Sequence, residues 1–358
     1  MSCSATRRIN RSPIKRDSMK FPLWVVNAFS GGAYSGNPAA VVFVDADRDA
    51  TLDDEQRRNI GRQMNLSETA FVTPLGLEGA AWSTAHAKYG LRWFTPDGTE
   101  VPLCGHATLA TATAMFDEMK VTAEELSFMT QSGELKVKKM GVDPATGVSK
   151  LCMEFPYNAP LPLGECENSE ELSGRAQGMA KVINSHLPDG LEVMDMQWSP
   201  TTKKLLVRLP DDKKVNNANA TDSSGSLDAL VKGLPSSLPD ELFAVQPDGL
   251  IVRGCIITVS ADVKEAGATA PEFHFQSRYF APWVGIPEDP VTGSAHTVSS
   301  PYMARVHGDH GTGRGGYLRA RQASARGGNL ELAVYEGSHV IIVGRGFVCV
   351  RGELDHEV

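Results

Sequence analysis

The chain of 358 residues has no paired cysteines, no long apolar run and no basic excess. Its six cysteines, Cys3, Cys104, Cys152, Cys166, Cys255 and Cys349, stand far apart, with no CxxC among them. That argues against a disulfide framework and leaves free thiols in a reducing compartment as the simplest expectation. Nowhere do about 18 consecutive apolar residues occur, the length a helix needs to cross a bilayer. A cytoplasmic protein without a membrane partner is expected. The net charge of -8 argues against a nucleic-acid partner. HExxH, Walker and GxSxG sequences are all missing, so neither a metal nor a flavin or nucleotide cofactor is expected.

What is present fits an ordinary globular protein, 41% apolar and 22% charged. The length suits two domains of average size. The first 18 residues differ from the rest, with Arg7, Arg8, Arg11, Lys15 and Arg16 against the single acid Asp17. A disordered leader over 1–19 and an organellar targeting segment are both open readings.

Short strands and tight turns dominate the remainder of the chain. FPLWVVNAF, PAAVVFVD, ETAFVTP and LRWFTPDG read as strands, and SFMTQSGELKVKKM as a hairpin around Ser132-Gly133. LDDEQRRNIGRQMN has Leu52, Ile60 and Met64 at helical spacing. GHATLATATAMFDEM, from Gly105 to Met119, is apolar on nearly all faces, which marks a buried helix. In the second half KLCMEF, KLLVRLP, GLIVRG, IITVSAD, NLELAVYE and HVIIVGRGFVCVRGEL read as strands, with polar loops at 211–226 and 307–316. Few long helices are expected.

Each half has strands leading into a Gly-containing turn that opens a small-residue helix: CGHATLATA and TGSAHTVSS. The expected fold class is therefore α+β. Two similar domains, 20–145 and 146–358, would each wrap a curved, mostly antiparallel sheet around a central helix. The final strand is a candidate to return to the first domain.

The helix openings are the first candidates for chemistry. The first N–H groups of a helix lack partners and carry the positive end of its dipole, so they attract anions. Gly105, His106, Ala107 and Thr108 form one such opening and Thr292, Gly293, Ser294 and Ala295 the other, though both also read as ordinary glycine turns capped by Thr and Ser. Glu68 lies among Leu66, Ala70, Phe71 and Val72. Turned inward, its carboxyl would be partly desolvated and suited to acid–base work; turned outward, it is a turn residue. Asp289 precedes Pro290 and is extended, facing the cleft or capping the helix after it. The HxxH of HGDHGTGRGG reads as loop.

SGNPAAVVFV, NLSETAFV, LRWFTPDGTEVPLCGHATLATA, EDPVTGSAH and RQASARGG, in this order, resemble the phenazine-biosynthesis PhzF-like family over roughly Phe21 to Leu354. That family is similar in fold to diaminopimelate epimerase, with the site between two like domains. The resemblance implies an isomerase that moves a proton and double bonds in a small carboxylate, without cofactor or metal, as a homodimer. It implies Glu68 as the acid–base residue, with His106 and Asp289 orienting the substrate or sharing the proton. Asn37, Ser67, Gly105, His106, Asp289, Gly293 and Ser294 match positions lining the substrate cleft. Thr297 to Pro301 is more polar than the pattern, and Pro301 would interrupt a regular helix.

Two rivals remain. A two-thiol racemase would use Cys104, but the matching turn at Asp289 to Gly293 has no cysteine. A ligand-binding or interaction protein would keep the fold and lose turnover.

Overall fold

The computed structural model describes residues 18–76, 88–144, 146–210, 227–260, 273–308 and 316–357. The leader up to residue 17, the polar stretch 211–226 and residues 309–315 of the HGDHGTGRGG run lie outside the described residues.

The first half contains β1 (Ser18–Ala28), β2 (Asn37–Phe43), α1 (Asp54–Met64), β3 (Glu68–Pro74), β4 (Lys88–Phe94), β5 (Glu100–Val101), α2 (Gly105–Thr113), β6 (Glu125–Thr130), β7 (Gly133–Val142) and β8 (Ser149–Pro156). The second contains β9 (Leu161–Pro162), α3 (Ser169–Asn184), β10 (Asp195–Ser199), β11 (Lys204–Arg208), α4 (Leu227–Lys232) and α5 (Leu238–Val245). It continues through β12 (Gly254–Ser260), β13 (Phe275–Phe280), α6 (Gly293–His307), β14 (Leu318–Gln322), β15 (Gly328–Tyr335) and β16 (His339–Glu357).

These strands form one mixed, mostly antiparallel sheet. The sequence of pairings occurs twice. β1–β2 is antiparallel, β2–β3 parallel, β3–β4 antiparallel, β4–β6 parallel, and β6–β7 and β7–β8 antiparallel. β10–β11, β11–β12, β12–β13, β13–β14, β14–β15 and β15–β16 repeat that order of directions. In each set the second parallel pair is bridged by one helix, α2 between β4 and β6, α6 between β13 and β14. β16 joins the sets: its start pairs with β15 and β8, and its end with β1 along the register Ala28↔Gly346 to Ser18↔Glu357. Ser18 and Met19, which the sequence pattern assigns to the leader, are thus already part of β1.

α2 packs against β1, β2, β3, β8 and β16. Every residue of it except Gly105 is buried. Ala107, Ala110 and Ala112 keep the helix thin, and Leu109 adds apolar bulk worth roughly 1.5–3 kcal/mol on burial. The three threonines are satisfied within the helix: Thr108, Thr111 and Thr113 donate to the carbonyls of Cys104, Ala107 and Leu109. Gly346 on β16 must be glycine for the approach, because a Cβ there would come within 2.2 Å of Thr113 Oγ1. The helix then widens into a π-turn over Ala114–Glu118.

α6 packs against β8, β11, β12, β15 and β16 and is buried over most of its length. It runs through Pro301 without a break, contrary to the sequence expectation. The turn before the proline is held by side chains: Thr297 and Ser300 donate to the carbonyls of Ser294 and His296 at 2.8 and 2.6 Å.

Two further expectations fail. Residues 249–253 of GLIVRG form a bend, not a strand, with Gly249 at φ +59°, and only Gly254 joins a strand, opening β12. The Gln246 side chain takes the place of a ladder there, donating to the Val252 carbonyl and accepting from its N–H. The 16-residue α3 was not expected at all; Leu172, Ala176, Met179 and Ile183 bury one face of it. Among the described residues no helix is long and apolar enough to cross a membrane.

Candidate active site

The openings of α2 and α6 lie near each other. An ideal Cβ on Gly105 would stand 2.9 Å from the Phe155 ring, and one on Gly293 would stand 4.0 Å from the same ring. Neither N-cap side chain, Cys104 or Thr292, accepts a hydrogen bond from its helix. Both helices therefore point their positive ends at one region around Phe155.

Glu68 opens β3. α1 ends at Asn65 in the left-handed conformation (φ 48°, ψ 39°), which turns the chain sharply into this strand. The turn places the Glu68 carboxylate against α2, with Oε2 2.9 Å from His106 Nε2. Both side chains are largely buried, with 13% and 9% of their surface exposed. The pair is in ion contact, but its atoms are not aligned as a hydrogen bond. On the other face of the ring, Cys104 Sγ lies 3.5 Å from His106 Nδ1. Burial opposes the imidazolium. The Glu68 carboxylate beside the ring outweighs it and holds His106 well above the usual histidine value. Burial, reinforced by Glu68, pushes the Cys104 thiol up against the pull of His106.

Glu, Cys and His together are a conceivable ligand set, and their donor atoms lie within 4.8 Å of one another. The imidazole, however, stands between the other two and meets each with a different nitrogen. One ring cannot present both nitrogens to a single ion, so the arrangement suits proton transfer better than chelation.

A second cluster spans the two halves. Asn37, the first residue of β2, donates through Nδ2 to Asp289 Oδ1 at 2.8 Å and to the Val291 carbonyl at 3.0 Å. Its Oδ1 accepts from Ser67 Oγ at 2.9 Å. Thr292 donates to the other Asp289 oxygen. Gln322 Nε2 donates to the Asp289 carbonyl at 2.6 Å, and its Oε1 accepts from Thr292 N at 2.8 Å. Asp289 therefore fixes the loop before α6 and does not cap the helix. Burial lifts its carboxyl to about 6, against the pull of His106 and of the hydrogen bonds from Thr292 and Asn37. His296, on the first turn of α6, is driven the other way, to about 4, because burial penalises its cation.

The seam between the halves is tied close by. Arg326 donates to the Gly36 carbonyl at 2.8 Å and to Asn27 Oδ1 at 2.9 Å. Gly36 N donates to the Gly327 carbonyl. The residues expected at the site thus fall into two groups: Glu68 with His106 at Gly105, and Asn37, Ser67 and Asp289 beside Gly293. Ser294 is exposed on the first turn of α6. Sequence reasoning placed Thr292 at the helix opening but missed Gln322 and Arg326 as members of this framework. The RQASARGG motif, which holds both, was the available signal.

A profile of the family described as Phenazine biosynthesis-like protein matches residues 26–352. Phenazine biosynthesis-like domain-containing protein 1 of Mus musculus is 38% identical, over 94% of this chain and 99% of its own length. An uncharacterized isomerase of Pseudomonas aeruginosa is 36% identical, again over 94% and 99% of the two chains. The crystal structure of a PhzF-family phenazine biosynthesis protein from Enterococcus faecalis aligns with a TM-score of 0.62 at 30% identity. That alignment covers 94% of this chain and 99% of the other.

Proposed function

The chain belongs to the phenazine biosynthesis-like protein family, and from that premise we propose that it is a cofactor-independent isomerase. It moves a proton and a double bond within a small carboxylate substrate, with Glu68 as the acid–base group. The observation that carries the reading is the Glu68–His106 contact of 2.9 Å at the opening of α2.

The chemistry derives from the residues. A cofactor-free shift of a C–H proton needs a base to remove it and an acid to return it. One carboxyl group performs both steps when it reaches both carbons from one face. Glu68 is held for this by the turn at Asn65 and by His106. The imidazolium stabilises negative charge near Glu68, and the two helix openings hold the substrate carboxylate and the charge that develops on it. Asp289, braced by Asn37 and Thr292, orients the substrate from the other half.

In this reading the chain forms two like domains, 18–145 and 146–358, with α2 and α6 as their central helices and β16 returning to the first. It works in the cytoplasm as a homodimer. The name of the Pseudomonas aeruginosa relative supports isomerase chemistry.

One observation favours a second reading. Cys104 is the N-cap of α2, where the first thiol of a cysteine-dependent racemase would stand, and it lies 3.5 Å from His106. The matching N-cap of α6 is Thr292, however, so a second thiol is missing where a two-base exchange needs it.

The test is capture of the substrate. Purified protein is denatured, the released small acid is identified, and fresh protein is then incubated with it in heavy water. Deuterium on a carbon of that acid, together with a shifted double bond, supports the isomerase. Binding without exchange indicates a ligand-binding protein.

A further inference from the structure

The repeated pairing order sets the two halves in register. β2 and β3 meet at Ala39↔Glu68, and β11 and β12 at Lys204↔Gly254. Trp93 then faces Ala70 as Tyr279 faces Ile256. The second half therefore has Gly254 where the first has its acid Glu68, Lys204 in place of Ala39, and Tyr279 in place of Trp93. Gly254 has no room for a side chain, since a Cβ would come within 2.2 Å of Tyr279 Oη. The acid position is filled by a tyrosine, and the neighbouring inward position carries a lysine.

Lys204 is only 8% exposed. Along β11 it shares a face with Leu206, two residues on. Leu206 packs in one cluster with Ile256, Tyr279 and the Ala295 and Val298 of α6. Lys204 thus stands on the α6 side of the sheet. It also stands at the end where α6 opens, because the start of β11 lies by the end of β13, and the Tyr279 carbonyl near that end accepts from Asp289 N at 3.1 Å. The Lys204 ammonium lies 5.7 Å from the centre of the Tyr279 ring. Among the described residues no hydrogen bond or ion pair holds it.

A buried ammonium is costly unless an anion or dipoles compensate it. Burial brings Lys204 down to about 8, with Asp289 opposing and Arg253 assisting the shift. The carboxylate of Asp289 is already committed to Asn37 and Thr292.

We propose that Lys204, beside the opening of α6, recognises a second carboxylate on the substrate, so that the preferred substrate is a small diacid. The inference rests on the proposed function only in taking the helix openings as the site of the first carboxylate.

The experiment titrates the full-length protein calorimetrically with straight-chain dicarboxylates from malonate to adipate, and with the monoamide of each. At least one diacid is expected to bind about tenfold tighter than its monoamide, the scale of one charge-assisted contact. Lys204→Met should bring the two within about twofold, while Lys204→Arg should keep most of the preference. If Lys204→Met fails to fold, Lys204→Gln replaces it with the same expectation. A protein that never prefers a diacid overturns the proposal, as does a folded neutral variant that keeps the preference. Repeating the titrations in Glu68→Gln separates the two claims. The diacid preference should persist there, whether or not proton exchange does.

Discussion

Asp289 offers a test of the site that needs no substrate. Its carboxyl is buried, accepts from Asn37 and Thr292, and sits at about 6 instead of the ordinary 3.8. Below pH 4 the group is neutral in the folded chain. As pH rises from about 4 to 6, the unfolded chain gives up this proton while the folded chain retains it. The contribution of Asp289 to stability therefore falls with rising pH, and the fall is complete above about pH 7. The span from 3.8 to about 6 corresponds to roughly 3 kcal/mol, at about 1.36 kcal/mol per pH unit. Other carboxylates have the opposite trend; burial is outweighed at Glu118 by its contact with Arg351, for instance, so that its value is lowered. The comparison must therefore be a difference between the protein and Asp289→Asn. The amide keeps the size of the neutral acid and cannot ionise. Urea unfolding followed by tryptophan fluorescence from pH 4 to 7.5 gives both stabilities. The protein should lose about 2.4 kcal/mol relative to Asp289→Asn across that range, the rest of the roughly 3 kcal/mol lying below pH 4. A flat difference, or one that moves in the protein's favour as pH rises, would refute the buried-carboxyl argument.

Other outcomes rest on particular contacts. Gly36→Ala should destabilise strongly, by about 2 kcal/mol or more, because Gly36 has φ +90° and a Cβ there would meet the Ala28 carbonyl at 2.5 Å. Thermal unfolding reads this. Cys104→Ala should retain most activity, and the buried thiol should react slowly with a maleimide at neutral pH, since burial raises its value. Rapid labelling or lost activity would favour the thiol mechanism. Elemental analysis of the purified protein should find no stoichiometric metal at Glu68, Cys104 and His106.

The sequence revealed most where local pattern decides structure. The apolar wrap of α2, the hairpin at Ser132-Gly133 and the strand ETAFVTP were legible because periodicity and turn residues act over a few positions. α3 should have been legible too. Leu172, Ala176, Met179 and Ile183 recur at helical spacing, but the intervening Gly174 and Gly178 obscured the pattern. GLIVRG misled because its apolar residues resemble a strand, while the Gln246 side chain, from outside the segment, satisfies the backbone at Val252. The path of α6 through Pro301 depends on tertiary burial and on hydroxyls one turn back, which no propensity encodes.

At the site, the proximity of Cys104 and His106 is set by the chain, and the apolar neighbours of Glu68 left its inward and outward readings both open until the resemblance favoured the first. The contact of Asn37 with Asp289 joins residues 252 positions apart and exists only in the folded chain. Lys204 was invisible for the same reason: in KLLVRLP it reads as the polar start of a strand. Its position becomes informative only once the two halves are set in register.

The central claim is that Glu68 carries the proton. With the captured acid in heavy water, the measurement is the rate of deuterium entry at carbon, compared between the protein and Glu68→Gln. Glutamine keeps the size of the side chain but removes the base. The account predicts intact folding, nearly unchanged binding of the acid, and exchange slowed by at least about 10²-fold. Near-normal exchange in Glu68→Gln would contradict it.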